Sequence, residues 1–153
     1  MQDFWIFQLN TPLNSTQADF IETGLQKILA TWNAHGTSLT AESKIMHQQF
    51  VYIGLKADSA RASGCSIDSL VKSVQELITG QGLILAESGT IFIRSEQGFY
   101  PIDFRNIENL ILSGEIKPDT IIADISLGKH KDYKGIMTPA CDTWLGRYFT
   151  GKV

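Results

Sequence analysis

A thiol, a glycine, two hydroxyls and a carboxylate stand directly before a helical pattern in Ser63-Gly64-Cys65-Ser66-Ile67-Asp68. Free backbone N–H groups and aligned peptide dipoles make a helix N-terminus favour negative charge. The same groups bind phosphate or carboxylate. If Ser63 caps the helix, Cys65 enters the first turn, where its thiolate form is favoured and it becomes a better nucleophile. If Ser66 caps it, Asp68 sits in the first turn and fills the positive end. Gly64 then only makes the turn, and Cys65 packs as a small apolar group. The ligand-binding candidates are Ser63, Gly64, Ser66 and Asp68, with Arg61 from the preceding loop.

His35 is the second chemical candidate. It can act as general base for Cys65, a thiol–imidazole pair, if the two loops meet. Its plainer reading is a histidine at a helix C-terminus beside the capping glycine Gly36, favoured by the dipole. No metal centre is expected. His35, His47, His130, Cys65 and Cys141 are scattered, without paired spacing of the zinc type. No cofactor is implied.

Two near-matches fail on chemistry. Gly146 to Lys152 has the glycine and lysine spacing of a P-loop, but Val153 follows in place of Ser or Thr, and the intervening residues are bulky. Gln97 to Phe104 resembles an RNA-recognition strand, but Gln97 replaces the basic residue and Pro101 interrupts the aromatic pattern.

The elements that must position Cys65 and His35 follow from periodicity. Phe4 to Leu9 reads as a buried strand. Ser15 or Thr16 caps a helix carrying Ile21, Leu25, Ile28, Leu29 and Trp32, with Gly24 on the same face where close approach to a sheet would explain it. That helix should stop at Asn33-Ala34-His35-Gly36. Thr37 to Ile45 reads as a strand, and Phe50 to Leu55, apolar on both faces, as a central one. Ile67, Leu70, Val71, Val74, Leu77 and Ile78 mark an amphipathic helix ended by Gly80 and Gly82.

Strands are expected at Leu83 to Ala86, at Thr90 to Arg94, at Phe99 to Ile102 after a Ser95–Gly98 turn, and at Thr120 to Ile125. Pro101 marks an edge strand. A short helix capped by Asp103 should turn Phe104, Ile107, Leu110 and Ile111 inward. The tail after Pro139 reads as a helix with Cys141, Trp144, Leu145 and Tyr148 on one face.

The fold class is therefore α+β. A single domain over residues 1–153 carries a mixed, mainly antiparallel sheet with helices packed on it. It begins as a split βαβ (ferredoxin-like) arrangement and continues with a strand-strand-helix-strand-helix extension of the same sheet. One consequence bears on chemistry. If the strands between Thr37 and Ala57 form an antiparallel hairpin, the His35 and Cys65 loops share one rim of the sheet.

Composition limits the partners. The chain has 153 residues, of which 43% are hydrophobic and 19% charged, so a packed core is expected. Its net charge of −3 argues against nucleic acid, whose phosphates require a basic face. The one lysine cluster, Lys129, Lys131 and Lys134, reads as a solvated loop. The start, Met1 to Phe7, places an acid and no basic residue before a short apolar run, so neither a secretory signal nor a membrane span is expected. A cytoplasmic protein with both cysteines as free thiols is the expectation.

Trp32-x-Ala34-His35-Gly36, Ser63 to Asp68, Gly114-x-Ile116 with Thr120-Ile121, and Trp144 with Arg147 together resemble a small uncharacterised family of Bacteroidetes-type bacteria. Its members are often labelled "ABC transporter ATPase". The resemblance spans most of the chain, and both the His35 and Cys65 loops are among its motifs. It implies no activity. The ATPase label does not fit the residues, which lack a P-loop lysine and a Walker-B acid in the required arrangement. Leu112-Ser113-Gly114-Glu115 matches an ABC signature in four letters only.

Two functions are expected to compete. One is binding of a small anionic or polar ligand at the His35–Cys65 rim, with or without dependence on the thiol. The other is a non-enzymatic interaction or assembly module, dimeric or bound to a protein partner through Trp5, Trp32, Trp144, Tyr148 and Phe149.

Overall fold

The apolar run Phe50–Leu55 becomes the middle of a three-stranded sheet, as its two-sided hydrophobicity requires. The computed structural model describes residues 3–124 and 136–150. The chain divides into two compact units, residues 1–85 and 86–153.

In the first unit, β1 (Phe4–Gln8) leads into α1 (Ser15–Ala30). A two-stranded ribbon follows, β2 (Asn33–Ala34) and β3 (Thr37–Ser38). Then come β4 (Ala41–Met46), β5 (Phe50–Leu55) and α2 (Gly64–Thr79). The sheet order is β1-β5-β4, with both pairings antiparallel. This is the expected split βαβ start. The segment read as a strand from Leu83 to Ala86 is reduced to one antiparallel bridge, Leu85 to Leu9.

One face of the sheet carries Trp5 and Phe7 of the first strand, and Leu9 just beyond it, with Val51, Ile53 and Leu55 of the central one. Ile21 and Leu25 of α1 and Leu70, Val74 and Ile78 of α2 close over them. Burying each such side chain contributes roughly 1.5–3 kcal/mol. Gly24 lets the two helices meet. A Cβ there would strike the end of Leu77 on α2, so the close approach is helix to helix, not helix to sheet.

The second unit comprises β6 (Thr90–Ser95), β7 (Gly98–Asp103), α3 (Ile107–Leu112), β8 (Ile121–Ala123) and β9 (Met137–Pro139). Its strands form their own antiparallel sheet in the order β7-β6-β8-β9, not an extension of the first. Ser95 pairs with Gly98 across the expected tight turn, and Pro101 lies on edge strand β7. Ile91, Ile93, Ile107, Ile116, Ile122, Ala140 and Leu145 form the core.

Several local expectations are corrected. Asn14, not Ser15 or Thr16, caps α1: its Oδ1 accepts from Gln17 N–H at 2.8 Å, and Gln17 Oε1 accepts from Asn14 N–H at 3.0 Å. Phe104 is exposed, its ring lying over Gly89. The tail is two 3₁₀ segments, Ala140–Asp142 and Trp144–Tyr148, not an α-helix. There the Thr143 hydroxyl donates to Ala140 C=O at 2.7 Å and accepts from Leu145 N–H at 3.2 Å, restarting the chain between the two segments. Among the described residues no helix is long and apolar enough to cross a membrane. Ile125, Lys129, His130, Lys131, Lys134, Lys152 and Val153 lie outside the described residues.

Candidate functional site

The helix start at Ser63 settles which hydroxyl is the cap. Ser63 Oγ accepts from Ser66 N–H at 3.2 Å, and Ser66 Oγ accepts from Ser63 N–H at 2.7 Å. Ser66 also donates to Ser63 C=O at 2.7 Å. Ser63 is therefore N-cap, and Gly64, Cys65 and Ser66 form the first turn. No acid stands in that turn, and Asp68 lies beyond it, exposed. The expectation that Asp68 fills the positive end is overturned by this one-cap shift.

His35 is likewise not at a helix end. α1 stops at Ala30, with Thr31 as its C-cap. Asn33 then pairs with Ser38 and Ala34 with Thr37. His35 (φ 51°) and Gly36 (φ 81°) are the two turn residues of this ribbon. Two successive positive φ values are what a type I′ turn demands. Histidine tolerates the left-handed region better than most non-glycine residues. Asn33 Oδ1 accepts from Gly36 N–H at 3.3 Å and braces the loop.

His35 and Cys65 line one hollow of about 490 Å³, bounded by the end of α1, the β2–β3 ribbon and the first turns of α2. α1 contributes Lys27 and Ile28, its exit Thr31, Trp32 and Asn33, and α2 Ser69, Leu70 and Ser73 beside Ser63, Cys65 and Ser66. Trp32, 6% exposed, donates from its indole Nε1 to Ser66 C=O at 2.8 Å, tying the ribbon to the helix start.

The polar groups of this hollow differ in availability. Ser63 and Ser66 are engaged in the capping box, and Ser66 is only 4% exposed. Among the described residues no hydrogen bond engages the side chains of Lys27, His35, Cys65, Ser69 or Ser73. Among the described residues no carboxylate lines the hollow. Gly64, exposed beside Cys65, and Asp68 are not in its wall. Arg61 belongs to a separate hollow of about 460 Å³ with Asp3, Lys56 and Ser59.

Lys27, Ser69 and Ser73 belong to no motif. For the two serines the signal is periodicity. Ser66, Ser69 and Ser73 recur at i, i+3 and i+7 along α2, a hydroxyl stripe beside its apolar face. Both cysteines are free and exposed. Of the aromatic candidates, Trp32 is buried with Trp5 edge-on against it at 5.6 Å. Trp144 is 48% exposed, with Arg147 over its ring at 5.7 Å and over Tyr148 at 5.0 Å.

No family model, curated protein or solved structure matches this chain.

Proposed function

We propose that the chain binds a small anionic ligand in the Lys27–His35–Cys65 hollow, as a cytoplasmic protein whose thiols stay reduced. One observation carries the reading: a lysine, an imidazole, a thiol and two free hydroxyls line one hollow beside a helix N-terminus, with no carboxylate in its wall among the described residues. The peptide N–H groups of that helix turn and the Lys27 ammonium both favour negative charge. The volume lies within the range of small-molecule sites and exceeds a bare phosphate. Ile28, Trp32 and Leu70 supply an apolar wall for the remainder of the ligand.

Cys65 lies against the bound group in this reading, and His35 is the base available to its thiol. Occupancy is therefore readable at the thiol. Both cysteines are free and exposed, so iodoacetamide should reach each of them. Inorganic phosphate, and more strongly phosphorylated metabolites, should slow labelling of Cys65 and leave Cys141 unchanged. Lys27→Glu should abolish the protection. Equal labelling of the two cysteines at every anion concentration would remove the basis for the proposal.

A further inference from the structure

Among the described residues no strand pairs with the outer edge of β4, and its backbone has a definite polarity. Lys56 N–H donates to Thr40 C=O at 2.9 Å, which sets the phase of the β4–β5 ladder. With the register Ala41↔Leu55 to Met46↔Phe50, Glu42 and Lys44 direct their backbone groups to β5. Ala41, Ser43 and Ile45 direct theirs outward. Among the described residues nothing pairs with these three N–H and three C=O groups. The strand has no proline and no bulge to blunt the edge.

We propose that β4 is a self-association edge, paired antiparallel with β4 of a second copy about a two-fold axis at Ser43. Charge selects this register. Outward groups must meet outward groups, so Ala41, Ser43 and Ile45 pair among themselves. Centring on Glu42 sets Glu42 against its own copy, and centring on Lys44 does the same with lysine. Only centring on Ser43 places Glu42 opposite Lys44 of the partner subunit, twice by symmetry. Those are the non-hydrogen-bonded positions, with Cα atoms about 4.5 Å apart and side chains closest. Ser43 then exchanges two hydrogen bonds with its own copy, and each Ala41 exchanges two with Ile45 across the axis.

Lys44 alone on an edge would discourage pairing. Facing a glutamate, it specifies it instead. An edge interface of this kind is small and transient. It is independent of the ligand hollow.

The test is sedimentation equilibrium at about 100 µM, a concentration suited to a small interface. The wild-type chain should show a concentration-dependent dimer. Glu42→Lys and Lys44→Glu, both on exposed side chains, should each weaken it about tenfold or more. An equimolar mixture of the two variants should restore dimer mass, since both cross-axis pairs are again opposite in sign. A wild-type monomer, or a mixture no stronger than its components, overturns the proposal. So does dissociation by Trp144→Ala with both charge variants still dimeric, which would locate association on the aromatic surface.

Discussion

The Trp32 indole N–H donates to the Ser66 carbonyl across a sequence separation of 34 residues, at 2.8 Å. This bond ties the segment that carries His35 to the turn that carries Cys65. Trp32→Phe keeps most of the buried ring and loses the donor. It should cost about 1–3 kcal/mol, from the lost bond and the space left beside Trp5. Urea unfolding reads this as a lower midpoint with unchanged slope. An unchanged midpoint would mean that the bond does not hold the two loops.

The turn at His35-Gly36 separates conformation from chemistry. His35→Asn keeps a residue suited to the type I′ turn and removes the imidazole. It should leave stability within about 0.5 kcal/mol. Gly36→Val puts a β-branched residue at φ 81° and should destabilise by about 1–3 kcal/mol. Thermal denaturation of the pair checks both. Equal losses would place the cost in the His35 side chain.

Two glycines near quoted motifs should respond oppositely to alanine. A Cβ at Gly146 would collide with the backbone carbonyl of Cys141, which cannot swing aside. Gly146→Ala should destabilise by about 1–3 kcal/mol. Gly146 thus has a packing reason that owes nothing to phosphate binding. A Cβ at Gly64 meets nothing within 4 Å, at the first helical position of α2. Gly64→Ala should be neutral or stabilising by up to about 1 kcal/mol.

Much of the frame is legible in residue patterns. The Phe50–Leu55 run gives a central strand at its observed limits, and Ser95–Gly98 gives its hairpin. The shared rim of His35 and Cys65 follows from topology alone. The misreadings occur where one local pattern serves two structures. A glycine after an apolar-periodic run reads as a helix cap, yet His35 and Gly36 also suit the two-residue turn of a ribbon. Ser63 and Ser66 are equally good caps by type, and a reciprocal bond between them decides. Trp144, Leu145 and Tyr148 recur at spacing that 3₁₀ turns also satisfy. Lys27 is invisible as a site residue because its place depends on where α2 packs.

Asp103 offers a test of surface electrostatics in the second unit. Its carboxylate accepts from Arg105 side-chain N–H groups and from Arg105 N–H at 2.9 Å. These bonds hold its pKa down at about 2. A depressed carboxylate pKa stabilises the native state above the ordinary carboxylate value, and that contribution fades as pH falls through about 2. On this exposed pair the effect on stability is slight, and the titration itself is the readout. A carboxyl NMR titration should place the Asp103 midpoint near 2, and Arg105→Ala should raise it toward the ordinary range. A midpoint unmoved by Arg105→Ala would contradict the pairing.

The anion site is tested most directly by a backbone-amide NMR titration with inorganic phosphate at constant ionic strength. Saturable shifts are expected at Gly64, Cys65 and Ser69, with Lys27 following, and their loss in Lys27→Glu. Shifts that rise linearly without saturation, or that spread evenly over residues far from α2, would contradict a site in this hollow.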